Sequence, residues 1–186
     1  VPDVPALTTK VVANGYKLTV GREPPPGETA RPPTAGNYGQ FSYLVGPDGV
    51  KVELVTNKDT GAPPIKGHHV HFVNKEFVAM QQWFMKAFDA TLRDGQTDFF
   101  IGADLPGVGY SLNFFSWLPN EKLVGTHGRA VESAGFDVRD LKAFCDRLKS
   151  KGIALTTPYQ LDESLGLYTA TITDPWGTVI RSEEHT

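Results

Sequence analysis

Ala130-Val-Glu-Ser-Ala-Gly-Phe-Asp-Val138, followed directly by Arg139-Asp-Leu141, is the stretch of sequence that decides the fold. Its first part predicts a strand. The residues after it predict a helix, because apolar Phe144 and Leu148 recur at a helical spacing and Gly152 stands where a helix stops. The two elements together begin a strand–helix module.

The rest of this module is predicted to consist of strands. They are expected at about residues 154–156, 167–173 and 178–182. Asp174-Pro-Trp-Gly177 predicts the turn before the last strand, because proline presets φ and glycine accepts positive φ. The order is therefore one strand, one helix and then two or three strands.

The same order occurs once more in full and once without its opening strand. One copy is predicted from a strand at 68–73, a helix at 76–90 and strands at 99–101 and 110–115. The other copy is predicted from a helix at 5–15, strands at 16–20, 41–45 and 50–55, and a turn at Gly46-Pro-Asp-Gly49. A repeat of about 50 residues indicates duplicated supersecondary units that bury their faces against each other.

These patterns predict an α+β fold built from βαβββ modules. Residues 1–57 are expected to form a partial module that lacks only its first strand, which should lie upstream of Val1. Residues 58–66 are expected to be a polar linker. Residues 67–186 are expected to form a complete domain of two modules.

Composition narrows the classes of function. Hydrophobic residues make up 40% of the chain and charged residues 21%, which is typical of a soluble globular protein. The net charge of −3 gives no basic surface for nucleic acid, and no apolar run reaches the roughly 20 residues that span a bilayer. No signal-peptide pattern is present and the chain has no starting Met, so the compartment stays open and a processed or exported form fits. Cys145 is the only cysteine, which excludes an internal disulfide and a thiolate metal cluster, and it is expected to be a buried hydrophobe.

Four motifs in order carry a family resemblance. They are Gly67-His-His-Val-His-Phe72, Met80-Gln-Gln-Trp-Phe-Met-Lys-Ala-Phe-Asp89, Gly128-Arg-Ala-Val-Glu-Ser-Ala-Gly-Phe-Asp-Val-Arg-Asp-Leu141 and Asp174-Pro-Trp-Gly-Thr-Val-Ile180. Together they resemble the vicinal-oxygen-chelate superfamily, which contains glyoxalases, bleomycin-resistance proteins and extradiol dioxygenases. The resemblance implies that paired βαβββ modules curl into a half-open barrel, and that the chain holds about one and a half such domains.

The resemblance also implies a metal site. In this superfamily a divalent metal is held by a His from the first strand, a His from the second module's first strand and a Glu from its last strand. Here these positions fall on His69, Ser133 and Arg181. Serine is a poor ligand and arginine cannot coordinate a cation. Arg181 with Ser133 could form an anion-binding floor, since a guanidinium holds anionic groups through a bidentate fork; alternatively, Arg181 pairs with a nearby acid such as Glu132 or Glu183.

The candidates for a different, non-standard metal site are Glu53, His69 and His71. The two histidines lie two residues apart on a predicted strand and so share a face, either as a metal or proton-transfer pair or as a relic beside a hydrogen-bonding neighbour. Glu53 stands where the metal-binding Glu of the preceding module would stand. It is a ligand of a separate N-terminal bowl, an exposed strand carboxylate, or a ligand together with His69 if the first two modules share a bowl.

Aromatic side chains offer a surface for an organic ligand. The candidates for ligand binding beside Ser133 and Arg181 are Tyr159, Tyr168 and Phe115. Strand and helix spacing explains most of the aromatic residues as core. Tyr159 follows a proline in a predicted loop and is expected to reach a pocket.

Three hypotheses for the function follow, and none assigns a catalytic residue. The first is a glyoxalase- or dioxygenase-like protein whose C-terminal metal site has degenerated and which binds a small organic molecule without a cofactor. The second is a lyase, isomerase or dioxygenase that uses Fe, Mn, Zn, Ni or Co at a non-standard site around His69, His71 and Glu53. The third is a structural dimer. A homodimer, or pairing with an upstream module, is predicted because an unpaired sheet edge is usually covered.

Overall fold

The chain folds into two compact units, Val1–His68 and His69–Thr186. The computed structural model describes residues 1–19, 35–36, 39–58, 61, 63–116 and 123–185, and for residues 35–36 and 39–40 it describes the backbone alone. No helix in these ranges is long and apolar enough to cross a bilayer. The division between the units falls two residues after the end of the segment predicted to be a linker.

In the part of the first unit that the structure describes, four strands form an antiparallel sheet and one helix is present. Its elements are α1 (Val4–Ala13), β1 (Lys17–Thr19), β2 (Ala35–Gly36), β3 (Gly39–Val45) and β4 (Lys51–Val55). Asp3 caps α1 by accepting a hydrogen bond from the N–H of Ala6 at 2.9 Å. Gly49 has a positive φ and lies in the turn between β3 and β4, as the Pro-Asp-Gly pattern predicted. The opening strand expected upstream, or a partner chain in its place, stays a prediction.

The second unit contains the same βαβββ arrangement twice. Its first half contains β5 (His69–Val73), α2 (Phe77–Phe88), β6 (Thr91–Leu92), β7 (Phe100–Asp104) and β8 (Ser111–Phe115). Its second half contains β9 (Ser133–Asp137), α3 (Leu141–Ser150), β10 (Thr157–Asp162), β11 (Leu167–Thr173) and β12 (Val179–Glu184). The sheets are ordered β5-β8-β7-β6 and β9-β12-β11-β10. In each half, the strand that comes first along the chain pairs in parallel with the strand that comes last, β5 with β8 and β9 with β12. The fold is therefore α+β, and the repeat predicted from the sequence is confirmed.

One hydrophobic core joins the two halves of the second unit. The ring of Phe88 lies 4.8 Å from that of Phe136 and 5.7 Å from that of Phe144. Because Phe88 belongs to the first half and its partners to the second, the halves bury apolar surface against each other, which is the main stabilising contribution. Cys145 is 1% exposed and belongs to this core, as expected.

The strand predicted at residues 154–156 lies further along the chain. It is β10, which pairs with β11 and contains both Pro158 and Tyr159. The prediction that Tyr159 lies in a loop is therefore wrong. Proline is tolerated in β10 because this strand is at the edge of its sheet, where a missing N–H need not interrupt the ladder.

A tight backbone contact fixes the segment before β9 to the turn between β11 and β12. A side-chain carbon on Gly125 would lie 2.6 Å from the carbonyl oxygen of Gly177, whose own φ is +88°. That oxygen accepts a hydrogen bond from the N–H of Thr126 at 3.0 Å. The hydroxyl of Thr126 in turn accepts one from the N–H of Val179 at 2.9 Å. The crossing therefore requires glycine at position 125.

Gly125→Ala is expected to lower the free energy of unfolding by about 1–3 kcal/mol, because the added methyl group collides with hydrogen-bonded backbone. Urea unfolding followed by tryptophan fluorescence measures the loss. Gly135→Ala is the matched control, since its added carbon would meet no heavy atom within 4 Å. Equal stability of the two variants would show that the segment around residue 125 moves away without cost.

Candidate ligand-binding face

Side-chain alternation in β8 separates a core face from a second face. Leu112 and Phe114 are 0% exposed and belong to the core that α2 covers. Ser111, Asn113 and Phe115 therefore take the opposite face. β5 and β7 flank β8 and pair with it residue by residue, so alternate residues of all three strands share this face. We call it the histidine face; its residues include His69, His71, Phe100, Gly102, Asn113 and Phe115.

A row of rings runs across the histidine face. The rings of His69 and His71 stack with centroids 4.4 Å apart, so the expectation that they share a face is confirmed. The ring of Phe115 lies 4.9 Å from that of His71 and 4.9 Å from that of Phe100. His71 is exposed, whereas His69, Phe100 and Phe115 are half-buried. The row thus presents planar surface along three neighbouring strands.

An arginine lies across the centre of the histidine face. Arg93 directly follows β6, and its backbone N–H donates to the carbonyl of Gly102 at 3.2 Å. A side-chain carbon on Gly102 would lie 3.1 Å from Cδ of Arg93, so the absence of a side chain there makes room for the arginine stem. Nη1 of Arg93 donates a hydrogen bond to Oδ1 of Asn113 at 3.1 Å, and Asn113 is only 4% exposed.

The second sheet places Ser133 and Arg181 at the positions that correspond to His69 and Asn113. His69 and Ser133 are each the first residue of an opening strand. Asn113 pairs in register with the residue two positions after His69, and Arg181 pairs with the residue two positions after Ser133. The internal repeat therefore matches Arg181 to Asn113.

Arg181 is held by two carboxylates. Its Nη2 donates a hydrogen bond to Oδ2 of Asp162 at 3.1 Å, and its Nε lies 3.7 Å from Oε2 of Glu183. Glu183 was one of the two acids expected to pair with it. The other, Glu132, has its carboxylate 3.0 Å from Nδ1 of His127.

Tyr159 and Tyr168 lie on the other side of the second sheet from Arg181. Their rings stack with centroids 4.9 Å apart and pack against the core. Arg181 pairs in register with Thr171 of β11, which is three residues from Tyr168, so alternation places the two side chains on opposite faces. Of the residues predicted to bind a ligand, the structure therefore places Ser133 and Arg181 on one face of this sheet and the two tyrosines on the other.

In the first unit, Glu53 of β4 pairs in register with Tyr43 of β3 and accepts a hydrogen bond from the tyrosine hydroxyl. Burial raises the pKa of Tyr43 well above its usual range, and the neighbouring Glu53 charge raises it further. The hydroxyl therefore stays protonated and orients the half-buried carboxylate. A common role for Glu53 with His69 and His71, which belong to the second unit, stays a prediction.

A family model described as the Glyoxalase/Bleomycin resistance protein/Dioxygenase superfamily matches residues 67–181. The chain belongs to this superfamily. Similar solved structures include a superfamily member from Sphaerobacter thermophilus DSM 20745, with 17% identity and a TM-score of 0.54 over 65% of this chain and 98% of that one. Two others are a bleomycin-binding protein complexed with bleomycin and TnmS3, an antibiotic binding protein from Streptomyces sp. CB03234. The first has 18% identity and a TM-score of 0.51 over 66% of this chain and 99% of that one. The second has 17% identity and a TM-score of 0.51 over 67% of this chain and 100% of that one. At these identities they show the fold alone. No curated protein matches the chain.

Two of the residues that the sequence analysis assigned to the superfamily's metal positions do not fit a metal. Ser133 offers a neutral hydroxyl, and the guanidinium of Arg181 would repel a cation. Hydrogen bonds from Ser164, and then the hydrogen bond and charge of Arg181, lower the pKa of Asp162. The carboxylate of Asp162 is therefore ionised at neutral pH and holds the guanidinium in place. His69, at the third position, keeps an imidazole that could serve as a ligand.

Sequence reasoning missed Arg93, Gly102 and Asn113. A signal was present for two of them. Asn113 is a polar residue between two buried apolar residues of a strand, which places it on the face away from the core. Gly102 lies inside a strand, where glycine indicates a close approach by another group. The position of Arg93 has no such local signal, because it depends on the pairing of β6 with β7.

Proposed function

We propose that this superfamily member binds a small organic molecule through its second unit, and that its C-terminal metal site has degenerated. The ion-paired Arg181 is the observation that carries the proposal. A positive charge at a metal position, held there by Asp162 and Glu183, disfavours a cation. Binding an organic ligand needs no metal, whereas the superfamily's lyase and dioxygenase chemistry does.

The histidine face supports the same proposal. Ligand sites combine apolar and aromatic lining with a few oriented polar groups. Here the ring row supplies planar surface, and the Arg93–Asn113 pair supplies oriented polar atoms. Two of the similar solved structures are described as binding bleomycin or an antibiotic. We extend ligand binding from them to this chain, but not the identity of the ligand.

A second candidate function is a divalent-metal enzyme, favoured by the stacked pair of His69 and His71. Imidazole nitrogens are good ligands for Zn, Fe, Ni and Co. The metal would act as a Lewis acid toward a substrate with adjacent oxygens. In this candidate Glu53 is a predicted further ligand, and the hydroxyl of Tyr43 holds its carboxylate in one orientation.

Metal retention separates the two candidates. The purified protein is exposed to Fe, Mn, Zn, Ni and Co, freed of excess ions and analysed by elemental mass spectrometry. A native mass spectrum of the same sample reports bound organic molecules. We expect no near-stoichiometric metal and a bound organic species, because the position of Arg181 is closed to cations.

Near-stoichiometric metal that is lost in His69→Ala would overturn the first candidate and establish the second. His127→Ala is the matched control, since the side chain of His127 is 87% exposed and lies outside the histidine face. Loss of metal in Glu53→Gln as well would support Glu53 as a further ligand. If the protein retains no metal and carries and binds no organic molecule, the remaining hypothesis is that of a structural dimer.

A further inference from the structure

We infer that Asn113 determines specificity on the histidine face: its side-chain amide nitrogen donates a hydrogen bond to a carbonyl oxygen of the ligand. The ligand class is a neutral carbonyl compound with an apolar frame. This inference rests on the proposed small-molecule function and names the chemical group that the face recognises.

The first support is the place of Asn113 on the histidine face. It lies in the middle of β8, and it pairs in register with His71 of β5 on one side and with Gly102 of β7 on the other. Its neighbours Leu112 and Phe114 are buried in the core, so the side chain of Asn113 takes the ligand-binding side. A molecule that covers the centre of this face therefore meets the amide.

The second support is that the protein fixes the orientation of this amide. Nη1 of Arg93 donates a hydrogen bond to Oδ1 of Asn113 at 3.1 Å. A guanidinium has only donors, so the atom that it contacts must be the amide oxygen, and this determines which of the two amide orientations is present. Nδ2 of Asn113 therefore points away from this hydrogen bond and carries two N–H donors.

The third support is that the amide nitrogen of Asn113 has no acceptor within the part of the chain that the structure describes. The one side-chain hydrogen bond of Asn113 in these ranges is the bond from Arg93 to its oxygen. Although Asn113 is only 4% exposed, Nδ2 is not one of the fully buried polar atoms that lack a partner there, so solvent still reaches it. A nearly buried donor without an acceptor costs free energy, which an incoming acceptor recovers.

A neutral donor in so enclosed a position selects a neutral acceptor. Moving a charged group out of water costs far more than moving a carbonyl, and a neutral amide offsets only the smaller cost. Phe100 supplies apolar surface beside it, because it is half-buried and lies diagonally from Asn113 across the β7–β8 pair. Diagonal neighbours lie roughly 7–8 Å apart, so one bicyclic carbonyl compound reaches both side chains.

The test uses three probes with one bicyclic frame. 1-Indanone carries a carbonyl acceptor, indane carries neither acceptor nor donor, and protonated 1-aminoindane carries only donors. Binding to the full chain is measured by nuclear magnetic resonance titration of the nitrogen-15 labelled protein, in which the side-chain signals of Asn113 are those missing from Asn113→Asp. The wild-type protein should bind 1-indanone about 3–10-fold more tightly than indane, in line with one net hydrogen bond, and 1-indanone should move the Asn113 amide protons downfield.

Asn113→Asp separates ligand recognition from structural support. Aspartate keeps an oxygen for the hydrogen bond from Arg93 and replaces the amide donor with a second acceptor. The affinity for 1-indanone should therefore fall at least about tenfold, because two acceptors now face each other, and the variant should prefer protonated 1-aminoindane. Asn74→Asp is the matched control and should keep the wild-type order. It makes the same change of charge, and aspartate keeps the oxygen that accepts from the N–H of Glu76 at 2.8 Å.

Three results would overturn the inference and are distinguishable from failure of the proposed function. Equal affinity of the wild-type protein for 1-indanone and indane would do so without any variant. An unchanged order of affinities in a folded Asn113→Asp would show that Asn113 only orients Arg93. If no probe binds at millimolar concentration, a carbonyl on an apolar frame is not the group recognised, while the native mass spectrum still decides whether an organic molecule is bound.

Discussion

Phe84→Ala is expected to lower the free energy of unfolding of the second unit by about 3–5 kcal/mol, because it removes a fully buried ring and leaves a cavity. Phe84 is 0% exposed, and its ring lies 4.6 Å from that of Phe72 and 5.4 Å from that of Phe114. These contacts join α2 to β5 and β8, two of the three strands that form the histidine face. Urea unfolding followed by tryptophan fluorescence reports this unit, since the tryptophans all lie after residue 68.

Val78→Ala on the same helix is the control, because Val78 is 46% exposed and loses little on truncation. Natural domains are stable by only about 5–15 kcal/mol, so Phe84→Ala could unfold the unit outright. Phe84→Leu keeps most of the buried volume and should remain folded with a smaller loss. A loss below about 1 kcal/mol for Phe84→Ala would contradict the packing described for this core.

If the proposed degenerate site is correct, Ser133→His combined with Arg181→Glu is expected to create a site that retains about one divalent ion per chain. The two changes place an imidazole and a carboxylate at the positions proposed to have lost them, with His69 as the third proposed ligand. Arg181→Glu also places a third carboxylate beside Asp162 and Glu183, so the apoprotein should be less stable and the bound ion should restore stability. Elemental mass spectrometry and thermal unfolding with and without Zn or Mn measure both effects.

Ser133→His alone is the control and should not retain metal, because the guanidinium of Arg181 still repels the cation. Adding His69→Ala to the double variant should abolish retention. If the double variant gains no metal affinity, Ser133 and Arg181 are not the residues that replaced the ligands, and the assignment of the degenerate site fails.

Several features of the fold could be predicted from local sequence because their causes are local. Alternating apolar residues predicted most of the strands, and Gly-Pro-Asp-Gly and Asp-Pro-Trp-Gly predicted the two hairpin turns. The β10 strand was placed too early because proline usually interrupts strands, and the sequence does not show which strand lies at a sheet edge. Tyr159 was therefore assigned to a loop, although it lies within an edge strand and its ring stacks on that of Tyr168.

The candidate site likewise has some features that follow from local sequence and others that depend on strand pairing. That His69 and His71 share a face follows from strand periodicity, and that Ser133 and Arg181 are unsuited to a metal follows from their chemistry. The acids that hold Arg181 could be predicted only in part. Glu183 is two residues away on the same strand, whereas Asp162 reaches Arg181 from β10, two strands across the sheet.

The sequence by itself determined the βαβββ repeat, the chemistry of Ser133 and Arg181 and the single cysteine, because periodicity, turn chemistry and composition need no long-range contacts. Only the tertiary structure decided what surrounds those positions. Strand pairing placed Arg93 over Gly102 and against Asn113, and it placed Tyr159 and Tyr168 on the face away from Arg181. These neighbours are distant in sequence, and the register between strands, set by burial of one face of each sheet, brings them together.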